Sequence, residues 1–130
     1  MFNDKTILIT GGTGSFGFRF AKTLLENYKA KKIIIFSRDE QKHYDMEQQL
    51  NKKKYPMLRF FLGDVRDIDR LKAAMHGVDF VIHAAAMKHV PSAEYNPMEC
   101  IKTNIHGAQN VVQTALDSNV EKVIALSTDK

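Results

Sequence analysis

Apolar residues along the chain gather into five short runs, each closed by a turn: Thr6–Thr10, Lys32–Ser37, Leu58–Leu62, Phe80–Ala84 and Val123–Leu126. Most are apolar on successive residues rather than alternate ones, the pattern of strands covered on both faces. Between the runs the spacing becomes helical. Phe16 to Tyr28 carries Phe16, Phe20, Ala21, Leu24 and Leu25, and Asp39 to Asn51 is mostly polar, with Tyr44, Met46 and Leu50 for packing. Ile68 to Met75 opens behind Asp67 as N-cap and stops near Gly77. The longest pattern, Pro97 to Ser118, has Asn96 as cap, proline in its first turn and a stripe of Ile101, Ile105, Ala108, Val112 and Ala115. Strands alternating with helices over short connections predict an α/β fold with a parallel sheet and helices on both faces.

The stretch Ile7 to Gly17 joins the first strand to the first helix. Its glycines Gly11, Gly14 and Gly17 stand three apart. The first allows a tight turn, the second lets backbone approach a phosphate, and the third lets helix and strand lie close. Free N–H groups and the dipole at the helix start favour an anion. In this strand–turn–helix context the stretch reads as a dinucleotide site, the plain alternative being a glycine-rich loop without ligand. The predicted architecture is a Rossmann-type doubly wound sheet in three αβα layers, with strand order 3-2-1-4-5.

Length and composition narrow the function classes. With 130 residues the chain makes one domain, 1–130, and is small for an enzyme with its own substrate domain. No apolar run reaches membrane-spanning length and Met-Phe-Asn-Asp-Lys has no secretory character, so no membrane partner and a cytoplasmic location are expected. The single cysteine, Cys100, cannot form an internal disulfide. The net charge of +4 lies mostly in Lys29–Lys32 and Lys52–Lys54. Without aromatic interleaving or a recognition motif this charge does not indicate nucleic acid, but it suits a phosphate-rich small ligand. His43, His76, His83 and His106 show no metal spacing, and no metal is expected.

Candidate chemistry sits where strands end. After the second strand come Ser37, Arg38, Asp39, Glu40, Gln41 and Lys42, and Arg38 lies 21 residues beyond Gly17. An acid here binds a ribose 2′-hydroxyl, whereas a guanidinium pairs with a 2′-phosphate, so NADP is favoured over NAD. Arg38 as a solvated side chain beside an Asp39 cap, or Asp39 itself on the ribose of NAD, are the alternatives. Asp64 and Val65 after the third strand suit an adenine amino group and ring, or an ordinary turn. Ala84 after the fourth strand lets a cofactor pass closely, or packs tightly. Lys88 faces the crevice for a phosphate or sugar hydroxyl, while His89 reads as structural. Asn104, Gly107 and Asn110 recur at spacing three in the long helix, where an asparagine needs a side-chain partner, and Thr103 beside them reaches the crevice. Thr128, Asp129 and Lys130 offer a hydroxyl, an acid and an amine, either for proton transfer or as a polar strand end.

Thr10-Gly-Gly-Thr-Gly-Ser-Phe-Gly17 and Asn104-x-x-Gly107-x-x-Asn110 resemble the cofactor and helix motifs of the extended short-chain dehydrogenase/reductase family. Phe36–Glu40, Gly63–Asp67, His83–Pro91, Glu94–Pro97, Ile101–Asn104 and Ala125–Lys130 resemble more narrowly the inverting UDP-N-acetylglucosamine 4,6-dehydratases, which open the route to pseudaminic acid on flagellin and surface glycans. The resemblance spans all 130 residues. It implies NADP on Thr13–Phe16, Ser37–Lys42, Asp64, Val65 and Ala84, with Lys88 and Thr103 along cofactor and sugar. It also implies a UDP-sugar substrate, Asp129 protonating the departing C6 hydroxyl, Lys130 taking the C5 proton and Thr128 bonding the C4 oxygen. The whole protein is expected to be a homo-oligomer. The family's Tyr-x-x-x-Lys pair and sugar domain fall beyond Lys130. The expectation is therefore an N-terminal portion, inactive alone, marginally stable, with an unpaired fifth strand.

Overall fold

Ile7-Leu8-Ile9 and Ile33-Ile34-Ile35 leave no polar side chain to turn toward water, so both faces of these strands must be covered. The computed structural model describes residues 2–11, 15–51, 53–84 and 109–125. Five parallel strands, β1 (Thr6–Thr10), β2 (Lys32–Ser37), β3 (Leu58–Leu62), β4 (Phe80–His83) and β5 (Lys122–Ala125), form one sheet in the order β3-β2-β1-β4-β5. The helices are α1 (Ser15–Asn27), α2 (Glu40–Gln49), α3 (Ile68–Met75) and α4, helical over 109–117. The expected doubly wound sheet and strand order are present.

Alternation along each strand divides the core in two. Ile7, Ile9, Ile33 and Ile35 pack with Ala21 and Leu24 of α1 and Met46 of α2. Leu8, Ile34 and Phe36 point to the other face, against Leu71 and Met75 of α3 and Val111 and Ala115 of α4. Each fully buried Ile or Leu contributes about 1.5–3 kcal/mol, so the central strands anchor both layers. Only Leu58 of β3 is fully buried, because β3 lies at one end of the sheet order.

Asp39 and Asp67 cap α2 and α3, accepting from the N–H groups of Lys42 and Arg70. β4 ends one residue before the expected Ala84, and β5 begins one residue before Val123. Two packing expectations need correction. In α2 the buried positions are His43 and Met46, with Leu50 at the C-cap, whereas Tyr44 is 58% exposed. In α4 the buried face runs through Asn110, Val111, Thr114 and Ala115, while Val112 is 45% exposed. Met46, Leu50 and Ala115 are buried as expected, and only Tyr44 and Val112 depart from the apolar pattern, their places inside being taken by His43 and by Val111 with the polar pair Asn110 and Thr114. Ile101, Ile105 and Ala108 lie outside the described residues.

Candidate functional site

The direction of winding reverses between β1 and β4, and in such sheets ligands bind outside the carboxyl ends of the strands at that point. Gly11 leaves β1 there with φ of +70°, a left-handed conformation that glycine adopts without a Cβ penalty. Its N–H donates to the Phe36 carbonyl at 2.9 Å, tying the turn to β2. Ser15 opens α1, Phe16 stacks on Phe20 with centroids 6.0 Å apart, and Gly17 is buried in the first turn. A buried Gly17 is what close helix–strand packing requires.

The turn is fastened across β4 by a residue pair outside the expected site. Thr10 Oγ1 lies 2.7 Å from His83 Nδ1, and both residues are buried. The Ala84 N–H donates to the Thr10 carbonyl at 3.0 Å and approaches Thr10 Oγ1 at 3.2 Å. Burial pushes the His83 imidazole below its ordinary value of 6.5, so the neutral ring is favoured. In the tautomer that leaves Nδ1 unprotonated, the threonine hydroxyl donates to it and keeps its lone pairs for Ala84. Ala84 therefore follows β4 with its N–H held by two oxygens of one residue, Thr10.

At the end of β2, Ser37 is buried and its Oγ accepts from the Asp39 N–H at 3.2 Å. The Arg38 side chain is 65% exposed. Asp39 spends one carboxylate oxygen on the α2 N-terminus, at 3.0 Å from the Lys42 N–H. The expected helix cap is thus present, with the exposed Arg38 beside it. Glu40, Gln41 and Lys42 are exposed in the first turn of α2, with Gln41 bonded to Asp45 at 3.1 Å.

After β3, Gly63 packs under the Phe36 ring and Asp64 meets two arginines. Arg66 takes both carboxylate oxygens, with Nη2 at 2.8 Å from Oδ2 and its backbone N–H at 2.9 Å from Oδ1. Arg38 Nη1 stands 3.5 Å from Oδ2. Hydrogen bonds from Arg66, then the nearby guanidinium charges, pull the Asp64 carboxyl down to about 2 against the cost of burial. The Val65 carbonyl accepts from Asn110 Nδ2 at 3.1 Å, which fixes this loop to α4. Asn110 has the side-chain partner that its place inside a helix called for.

Gly11, Ser15, Phe16, Gly17, Ser37, Arg38, Asp64, Val65 and Ala84 therefore line the carboxyl end of the sheet. Thr13, Gly14, Lys88, Thr103, Thr128, Asp129 and Lys130 lie outside the described residues, as do Asn104 and Gly107. Arg66 and the Thr10–His83 pair went unassigned in the sequence reading. Their signal was present in Gly63-Asp-Val-Arg66 and in Thr10 of the glycine stretch, but pairing across strands is not visible from spacing. The chain does hold one Tyr-x-x-x-Lys spacing, Tyr28 to Lys32. Tyr28 follows α1 and Lys32 opens β2, so the two do not share a helix turn. Among the described residues no cluster of three metal-ligating side chains occurs, and no helix is long and apolar enough to cross a membrane.

Residues 7–130 match the family model described as polysaccharide biosynthesis protein. Over all 130 residues the chain is 68% identical to a UDP-N-acetylglucosamine 4,6-dehydratase (inverting) of Campylobacter jejuni subsp. jejuni serotype O:2, covering 38% of that protein. It is 54% identical over 134 aligned residues to a UDP-glucose 4-epimerase of Rickettsia felis, covering 100% of this chain and 38% of the relative. A dTDP-glucose 4,6-dehydratase from Streptomyces venezuelae, solved with NAD bound, superposes with a TM-score of 0.75 at 28% identity, over 91% of this chain and 38% of that one. The chain spans about 38% of the length of the curated relatives it matches.

Proposed function

The chain belongs to the polysaccharide biosynthesis protein family, and from that premise we propose that it forms the cofactor-binding part of an NADP-dependent nucleotide-sugar 4,6-dehydratase. The observation that carries this reading is the 68% identity to an inverting UDP-N-acetylglucosamine 4,6-dehydratase, unbroken across the whole chain. Residues 1–130 are read as a Rossmann domain of a longer enzyme.

The residues present fit a dinucleotide. Gly11 turns the chain off β1 at +70°, α1 begins at Ser15 beside it, and Arg38 offers an exposed guanidinium where an adenosine ribose would lie. That guanidinium favours a 2′-phosphate and hence NADP. A nicotinamide bound there would supply the hydride acceptor for oxidation at C4 and the hydride donor for reduction at C6. The C4 hydroxyl proton goes to a base in the rest of the longer enzyme, and this chain's own residues take the following parts. Thr128 hydrogen-bonds the C4 oxygen, Lys130 in its neutral form removes the C5 proton, and Asp129 protonates the departing C6 hydroxyl. Lys88 and Thr103 hold cofactor and sugar, and protonation of C5 from the opposite face inverts that centre. Loss of water across C5 and C6 needs base and acid held together, which the consecutive residues Asp129 and Lys130 would supply. The proposed substrate is UDP-N-acetylglucosamine, the product a precursor for surface glycans of the pseudaminic acid type, and the compartment the cytoplasm. We place the whole protein in a homo-oligomer.

The second reading, a 4-epimerase, is favoured by the 54% identity to the UDP-glucose 4-epimerase. Proton NMR of the full-length gene product turning over UDP-N-acetylglucosamine in D2O separates them. A 4-keto-6-deoxy sugar with deuterium at an inverted C5 is the expected result. A C4 epimer with the C6 hydroxyl retained and no deuterium at C5 would establish the epimerase instead.

A further inference from the structure

Asp64 stands next to the guanidinium that the proposed function assigns to a phosphate, which is at first sight a poor arrangement. A carboxylate paired with Arg38 alone would neutralise it and repel a phosphate dianion. Arg66 changes that balance. It holds Asp64 through Nη2 at 2.8 Å and Nε at 3.2–3.3 Å, and through its backbone N–H at 2.9 Å, while Arg38 remains at 3.5 Å. The last distance exceeds that of an ordinary charged hydrogen bond. The carboxylate is thus committed mainly to Arg66 rather than to Arg38.

We propose that Arg66 is a specificity-determining positioning residue: by occupying Asp64 it keeps Arg38 available to a 2′-phosphate and sets the preference for a 2′-phosphorylated adenine nucleotide. The inference rests on the reading of Arg38 as the phosphate partner. Arg66 touches Asp64, and its effect on the nucleotide passes through charge rather than contact. Three residues after β2 and β3 then act as one unit, and the selectivity attributed to Arg38 belongs to all three.

The test measures binding of adenosine 2′,5′-bisphosphate and 5′-AMP to the chain by calorimetry, and reads the ratio of the two affinities. Arg38→Ala tests the underlying reading and should collapse the ratio. Arg66→Ala should lower it roughly tenfold, as expected for losing one charge-assisted partner. The double variant Asp64→Asn with Arg66→Ala removes the repelling carboxylate and should bring the ratio back to within about threefold of wild type, a rescue that lost packing would not give. If Arg66→Ala melts early, Arg66→Gln keeps the stem, loses the charge and is read the same way. An unchanged ratio in the Arg66 variants beside a collapse in Arg38→Ala overturns the role of Arg66 alone. A double variant as poor as the single also overturns it. A ratio unmoved by Arg38→Ala, or no discrimination by wild type, overturns both readings.

Discussion

Replacing Gly63 by alanine tests how tightly the loop carrying Asp64 is fitted to the sheet. A Cβ at Gly63 would lie 2.8 Å from Phe36 Cζ and 2.9 Å from Cε2, with Arg70 Cβ at 3.4 Å. Such distances force something to shift. Phe36 has little freedom to give way, since it is 1% exposed and its ring stacks on Phe61 at 5.9 Å. The loop cannot easily lift either, because the Gly63 N–H donates to the Ser37 carbonyl at 2.9 Å. Overpacking of this kind costs about 1–3 kcal/mol. Alanine also restricts the unfolded chain, which offsets about 0.4–1 kcal/mol. A net loss of roughly 1–2 kcal/mol results, and with a urea slope of about 2 kcal/mol/M the midpoint should fall by about 0.5–1 M at unchanged slope.

Gly77→Ala is the matched control. Gly77 has φ of +77° and nothing within 4 Å of its missing Cβ, so its cost of about 1 kcal/mol comes from the backbone alone. Adding Phe36→Leu separates the two mechanisms in a double-mutant cycle. The smaller side chain should relieve Gly63→Ala and leave Gly77→Ala unaffected. A Gly63→Ala midpoint at or above wild type, or a cost that Phe36→Leu fails to reduce, refutes the contact argument.

Thr10→Val removes the hydroxyl that serves both His83 and Ala84 and leaves the buried imidazole without its partner, at about 1–3 kcal/mol. A thermal melt within experimental scatter of wild type would show that the pair carries no stability. Acid should weaken the fold in two steps. Burial lowers His43 and His83 below 6.5, so the unfolded chain takes up protons first and stability falls as pH drops below 6.5, levelling once the folded-state values are passed. Asp64, held at about 2 against an ordinary 3.8, contributes stability above 3.8 that is lost as pH falls toward 2. The shift corresponds to about 2 kcal/mol at most, and nearer 1 after solvent screening of a side chain that is 28% exposed. Urea midpoints against pH check both steps, and Asp64→Asn should abolish the lower one only; a profile flat from pH 7 to 5 contradicts the histidine argument.

The strands were legible because two-sided burial leaves a signature that needs no partner: Ile33-Ile34-Ile35 is apolar whichever neighbour it acquires. The caps were legible for a similar reason, since Asp39 and Asp67 bond to N–H groups three residues away. Helix faces were less so. Val112 and Tyr44 were expected inside and lie outside, because burial of His43, Asn110 and Thr114 depends on partners that sequence spacing does not identify, such as the Val65 carbonyl for Asn110 and the Phe60 ring for His43. The candidate site divides along the same line. Gly11, Arg38 and Asp64 were visible as residue types at strand ends, yet the charge that a ligand meets there depends on a distance between loops after different strands. Arg38 reads as a free cation in sequence and as one corner of an Arg38–Asp64–Arg66 cluster in space. Position along the chain places residue types at strand ends; only their mutual distances decide the sign and strength of what they present to an anion. On the proposed reading of Arg38 as a phosphate partner, a nucleotide preference argued from that residue alone leaves out the two side chains that set its surroundings.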